Sequence, residues 1–220
     1  MPTPTNVDRN KKYLYVHVPK CAGKLVELYF FNKNPGTGSS NHYTIQQIID
    51  EKEPWLKEEI EDYYIFSTVR NPWDRVVSGY FAERKRNGSG SKELSSFKNF
   101  VNSGYFMKSS GGRLYETYLK YNGTWIDNIF RIEDINTENC PLQMLGDKFN
   151  VELPEYLDVI NQANLGGPQR ESKVTDDRIK FPMFESVEKR KPYEEYYVEE
   201  TREKVYNVFV QEIEFFDYKF

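Results

Sequence analysis

At 220 residues, with 38% hydrophobic and 16% aromatic content, the chain is long enough for one large domain whose core leans on Tyr and Phe. A formal net charge of −4 argues against general nucleic-acid binding, while basic residues gather locally at 11–24, 70–86 and 189–191, as suits a small anionic ligand. Two cysteines, Cys21 and Cys140, exclude a disulfide framework. No apolar run approaches the ~20 residues that span a bilayer, and no apolar leader precedes the first strand, so a soluble, cytoplasmic protein is expected.

In chain order, residues 1–12 read as a loose tail, leaving 13–220 as a single domain. Residues 13–18 (YLYVHV) read as a buried strand, followed by PKCAGK and an apolar helical stretch over 25–31. NKNPGTGSSN, 32–41, is rich in turn residues and reads as a surface loop. Two short polar helices are expected at 43–52 and 55–62. The stretch 64–81 (YIFSTVRNPWDRVVSGYF) begins as a β-branched run and ends as an amphipathic helix. A break follows at 86–92, then a helix over 93–101, a second glycine-rich loop at 109–113 and a third strand over 126–132. A helix at 137–149 contains Pro141, residues 165–180 form a charged irregular loop, and a long helix runs over 193–212 with Val205, Val208 and Phe209 as its buried stripe. Strands alternating with helices imply an α/β fold on a parallel sheet.

Two strand-to-helix junctions carry the chemistry. At the first, Asn71 is a good N-cap, Pro72 suits the first helical position, and Asp74 falls at the capping-box site. Ser78, two turns on, points back toward the strand end that bears Arg70. A guanidinium and a hydroxyl beside a helix N-terminus suit a phosphate; the plainer alternative is an arginine paired with some carboxylate. At the second, VHVPKCAGK, small residues let backbone N–H groups approach an anion, and Lys20 and Lys24 add charge. A Walker A loop would need glycine at Val18 and a hydroxyl at Leu25, so magnesium-dependent nucleotide hydrolysis is not expected. No arginine follows Cys21 at phosphatase spacing, so its thiol is not expected to be a nucleophile.

Together the two stretches resemble the PAPS-dependent sulfotransferases. HVPKCAGK is similar to their 5′-phosphosulfate loop and RNPWDRVVSGYF to their 3′-phosphate motif, with the order and separation of the carbohydrate-type, Golgi-enzyme-like branch. FRIEDI (130–135) and the stretch EFFDYKF (214–220) are similar to that branch as well. The resemblance implies a P-loop-like three-layer sandwich, a central mostly parallel sheet flanked by helices. It implies PAPS as co-substrate, PAP as product, a carbohydrate or similar hydroxyl as acceptor, and no metal. It places Lys20 against the bridging oxygen of the donor, the N–H groups of Cys21, Ala22, Gly23, Lys24 and Leu25 around the 5′-phosphate, and Arg70 with Ser78 on the 3′-phosphate. The family usually has Thr and Ser where Lys24 and Leu25 stand.

Transfer to a hydroxyl needs a base. Of the two histidines, His17 lies within the first strand and reads as a packed residue, whereas His42 follows the glycine-rich loop and is the candidate. Glu51 and Glu53 are its rivals. A non-catalytic nucleotide-binding module and an atypical P-loop kinase remain as alternative functions, and the three basic residues at 189–191 read equally as a nucleotide clamp or a solvated run.

Overall fold

The structure, a computed structural model, describes residues 5–31, 42–136, 140–152 and 191–220. Expectations for 32–41, 165–180 and 189–190, and for the start of the helix at 137–139, lie outside the described residues.

The sheet is organised around a strand with no exposed face. β1 spans Val7–Asp8 and β2 spans Tyr13–Val16; in β2 Leu14 and Val16 enter one core cluster while Tyr13 and Tyr15 enter another. A strand buried on both faces needs helices on both. β3 (Tyr64–Val69) pairs parallel with β2, Val16 opposite Ser67, and β6 (Asn128–Arg131) pairs parallel with β3, Val69 opposite Arg131. A separate two-stranded ribbon, β4 (Lys120–Tyr121) and β5 (Thr124–Trp125), precedes β6. The main sheet runs β1-β2-β3-β6 and is mixed, because β1 is antiparallel to β2.

β1 arises inside the stretch read as a tail. Tyr15 N–H donates to the Asn6 carbonyl at 2.9 Å, and Thr5, Asn6 and Val7 are buried. Two residues have no periodicity to betray them; what recruits them is the open edge of β2, whose backbone groups need partners.

α1 (Gly23–Phe31) covers one face of the sheet with Leu25, Val26 and Phe30. α2 (Ile45–Gln47), closed by a Thr44–Gln47 capping box, runs into a π-turn at Ile48–Lys52, and α3 (Leu56–Glu59) into a 3₁₀ turn at Ile60–Asp62. These are the two segments expected as polar helices. Their polarity is one-sided: Ile45, Ile48, Ile49 and Leu56 are buried. α4 (Pro72–Asn87) begins as expected, with Asn71 Oδ1 accepting from the Trp73 N–H at 3.0 Å, and closes at Gly88, whose φ of 72° suits glycine. α5 (Phe97–Asn102) starts later than expected because Ser96 caps it, its hydroxyl accepting from Asn99 N–H at 3.1 Å. α6 (Tyr115–Leu119) follows the second glycine-rich loop, and α7 (Pro141–Phe149) joins α1 on its face with Leu142 and Leu145. The helix expected over 193–212 is a 3₁₀ turn at Tyr193–Tyr196 and then α8 (Glu199–Phe215), which buries Val205 and Phe209 on the face shared with α4 and α5. Among the described residues, no helix is long and apolar enough to cross a membrane.

Candidate active site

Because β2, β3 and β6 are parallel and in register, both motif-bearing junctions leave the same edge of the sheet, the edge where open α/β sheets bind ligands. After β2 the backbone takes left-handed conformations at Lys20 (φ 67°) and Ala22 (φ 59°), on either side of Cys21. Such alternation gathers backbone N–H groups into an anion-binding concavity. For residues with a Cβ it costs roughly 1–3 kcal/mol each, so something must hold it. β3 does: Arg70 Nη1 donates to the Lys20 carbonyl at 3.4 Å, and Thr68 Oγ1 donates to the Cys21 carbonyl at 2.5 Å. Thr68 is held in turn by the Tyr15 hydroxyl at 2.7 Å.

Gly23 opens α1 against the His17 ring, and a Cβ there would lie 2.0 Å from His17 Nε2. Gly23→Ala is therefore expected to lower stability by about 1–3 kcal/mol, read as a drop in the denaturant midpoint. Adding His17→Ala to that variant should recover part of the loss.

Arg70 is buried at the end of β3. Its Nε and Nη2 each lie 2.6 Å from Asp74 Oδ2. The carboxylate partner allowed for in the sequence is thus Asp74, one turn into α4. With the Lys20 carbonyl, three of the five guanidinium donors are used, leaving one N–H on each terminal nitrogen. Ser78 is buried on α4, and its hydroxyl makes no hydrogen bond among the described residues.

Of the other predicted loop residues, Lys24 lies half-buried in the first turn of α1. Leu25 turns into the core, and its N–H donates to the Ala22 carbonyl at 2.9 Å. The Cys21 thiol is buried, 3.5 Å from the Pro19 carbonyl, and burial pushes it up to about 12 against the pull of Arg75 and Arg70. It stays protonated at neutral pH, so only its backbone is available to the site.

The two histidines meet edge to face, with ring centroids 4.6 Å apart and planes at 84°. His17 is buried, its Nδ1 2.9 Å from Glu27 Oε1, an oxygen that also accepts from Asn6 Nδ2 at 3.1 Å. His42 is pulled down to about 4, first by loss of water around it and then by His17, with Lys20 and Arg113 adding to the effect and Glu27 opposing it. Its imidazole is consequently neutral at pH 7. Of the rival bases, Glu53 is buried and engaged, accepting from Thr5 and, at 2.7 Å, from Trp55 Nε1, while Glu51 is exposed beside Lys52.

Two supporting residues were not singled out in the sequence. Tyr115 hydrogen-bonds both backbone groups of Arg70: its hydroxyl accepts from the N–H at 3.1 Å and donates to the carbonyl. Only its place after the glycine-rich loop hinted at this. Glu133, within FRIEDI, accepts from Asn71 N–H at 2.6 Å and from the Tyr218 hydroxyl at 3.4 Å. The Lys219 carbonyl accepts from Asn71 Nδ2 at 2.8 Å. FRIEDI and EFFDYKF thus both anchor the Arg70–Asn71 join.

A family model described as the Sulfotransferase family matches residues 3–140. No curated protein and no solved structure matches the chain. The matched span is well over half of the chain and takes in the left-handed loop, Arg70, Ser78 and Glu133. The chain belongs to the sulfotransferase family, and it is a transferase of sulfuryl groups.

Proposed function

We propose that the chain is a PAPS-dependent O-sulfotransferase of P-loop-like, three-layer architecture that modifies a hydroxyl of a carbohydrate or similar acceptor. The observation that supports this reading is the bond from Arg70 Nη1 to the Lys20 carbonyl, which ties the two motif-bearing junctions to each other. The N–H groups of Cys21, Ala22, Gly23 and Lys24 cradle the 5′-phosphate. Leu25 contributes least, since its N–H already bonds Ala22. The two remaining terminal N–H groups of Arg70, with the Ser78 hydroxyl, hold the 3′-phosphate. His42 takes the acceptor's hydroxyl proton as that oxygen attacks sulfur. Lys20 stabilises the electron pair left on the phosphate oxygen when the sulfur–oxygen bond breaks.

Calorimetry with PAP and with 5′-AMP tests the reading, because only PAP has a 3′-phosphate. The wild-type chain should prefer PAP, and Arg70→Ala should lose that preference while retaining whatever affinity it has for 5′-AMP. Equal affinity of the wild type for both nucleotides, or none for either, would overturn it.

One observation favours a second reading, a nucleotide-binding module without turnover: Leu25 stands where relatives usually have a serine and is packed in the core. Transfer of labelled sulfate from PAPS to any glycan excludes that reading.

A further inference from the structure

Glu27 is a carboxylate buried on α1, a placement that is strongly unfavourable unless donors surround it. Oε1 meets two, His17 Nδ1 at 2.9 Å and Asn6 Nδ2 at 3.1 Å. A carboxylate acceptor fixes the proton of His17 on Nδ1 and with it the plane of the ring. The opposite edge of that ring, Nε2, is pressed against Gly23, so the imidazole is wedged between Glu27 and the first turn of α1. Asn6 is itself tied to β2 through the Tyr15 N–H. His42, by contrast, precedes the α2 cap, and the side-chain contact that the structure gives it is with this immobilised ring, edge to face at 4.6 Å.

We propose that His17, locked by Glu27 and Asn6, is a positioning residue that holds the His42 imidazole beside the left-handed loop. The inference rests on the reading of His42 as the base, but its test needs no turnover. The groups facing His42 are His17 from the end of β2, Lys20 from the loop, Arg113 from the second glycine-rich loop and Glu27 from α1. Glu27 therefore has two separable effects. Its charge favours the imidazolium of His42, whereas its grip on His17 keeps the two rings together and His42 near Lys20 and Arg113, which disfavour that charge. Removing the charge alone lowers the titration midpoint of His42; removing the grip raises it.

With two histidines in the chain, imidazole NMR of the ligand-free protein resolves both, and His17→Gln assigns them. Glu27→Gln keeps an acceptor for Nδ1–H and should leave the His42 midpoint at or below its wild-type value. Glu27→Ala should raise it by roughly one unit or more toward the ~6.5 of an unperturbed imidazole and abolish the cross-ring nuclear Overhauser contact. A midpoint that stays put or falls in Glu27→Ala, with the contact intact, overturns the proposal. Should Glu27→Ala fail to fold, Asn6→Ala, which changes no charge, decides: a weakened cross-ring contact with a raised His42 midpoint supports the proposal, and an unchanged contact and midpoint refute it. The titration is independent of whether PAP binds, which calorimetry settles separately.

Discussion

Replacing Lys20 with alanine is expected to slow sulfuryl transfer by about 10²–10³-fold, the range seen when one preorganised transition-state donor is removed. Affinity for PAP should fall far less. The loop N–H groups proposed to hold the phosphate belong to the backbone, and alanine has the same Cβ as lysine at the left-handed position (φ 67°), so the loop keeps its shape. Charge builds on the departing phosphate oxygen as the sulfur–oxygen bond lengthens, and an ammonium placed there acts chiefly in the transition state. Lys20→Arg should not restore the rate, since a planar fork presents its charge over a different volume from a point ammonium. The check is labelled-sulfate transfer, using an acceptor found by screening polysaccharides and small hydroxyl compounds, set beside calorimetric PAP affinity. Parallel losses in rate and affinity would assign Lys20 to ground-state binding instead.

Loss of the Glu212 carboxylate is the largest expected effect on stability. Arg75 on α4 and Glu212 on α8 form a buried ion pair at 2.8 Å, with side chains 1% and 5% exposed. Glu212 also accepts from the Tyr115 N–H, and the Arg75 guanidinium lies 3.9 Å above the Tyr115 ring. Arg75 Nε and Nη1 have no hydrogen-bond partner among the described residues. Glu212→Ala thus strands a buried cation, which typically costs about 3–5 kcal/mol, a large share of the ~5–15 kcal/mol that holds a domain folded. The double change Arg75→Met with Glu212→Leu should cost much less, because no charge is left without its counterion. Denaturant unfolding of the single and double variants reads the difference. A single variant within about 1 kcal/mol of the wild type would mean that the site relaxes and admits water.

What was legible in the sequence was local. Asn71, Pro72 and the apolar spacing of α4 rest on rules that operate within a few residues, and the structure follows them. The loop after β2 stood out in the sequence through its small residues, which suit an anion. Its left-handed turns were not, because they fall on Lys20 and Ala22 rather than on glycine. Gly23 is required for a different reason, the His17 ring against it. The Asp74 contact to Arg70 lay in plain view one turn away, with Asp74 read only as a capping residue. The props of Arg70 were out of reach: Tyr115 is 45 residues from Arg70, and Glu212 is 97 from Tyr115. No periodicity links positions so far apart. β1 escaped for the opposite reason, a pairing too short to leave any pattern.

The curve of the loop after β2 is stored in its neighbour, since the residues that hold the Lys20 and Cys21 carbonyls, Arg70 and Thr68, belong to or directly follow β3. Any opening that parts the two strands also releases the left-handed loop, so on the proposed function the closed sheet and the anion cradle share a single equilibrium. An anion bound there would act as a clasp on strand pairing, and PAP is expected to slow amide exchange along β2 and β3 and to raise resistance to unfolding that begins at the sheet.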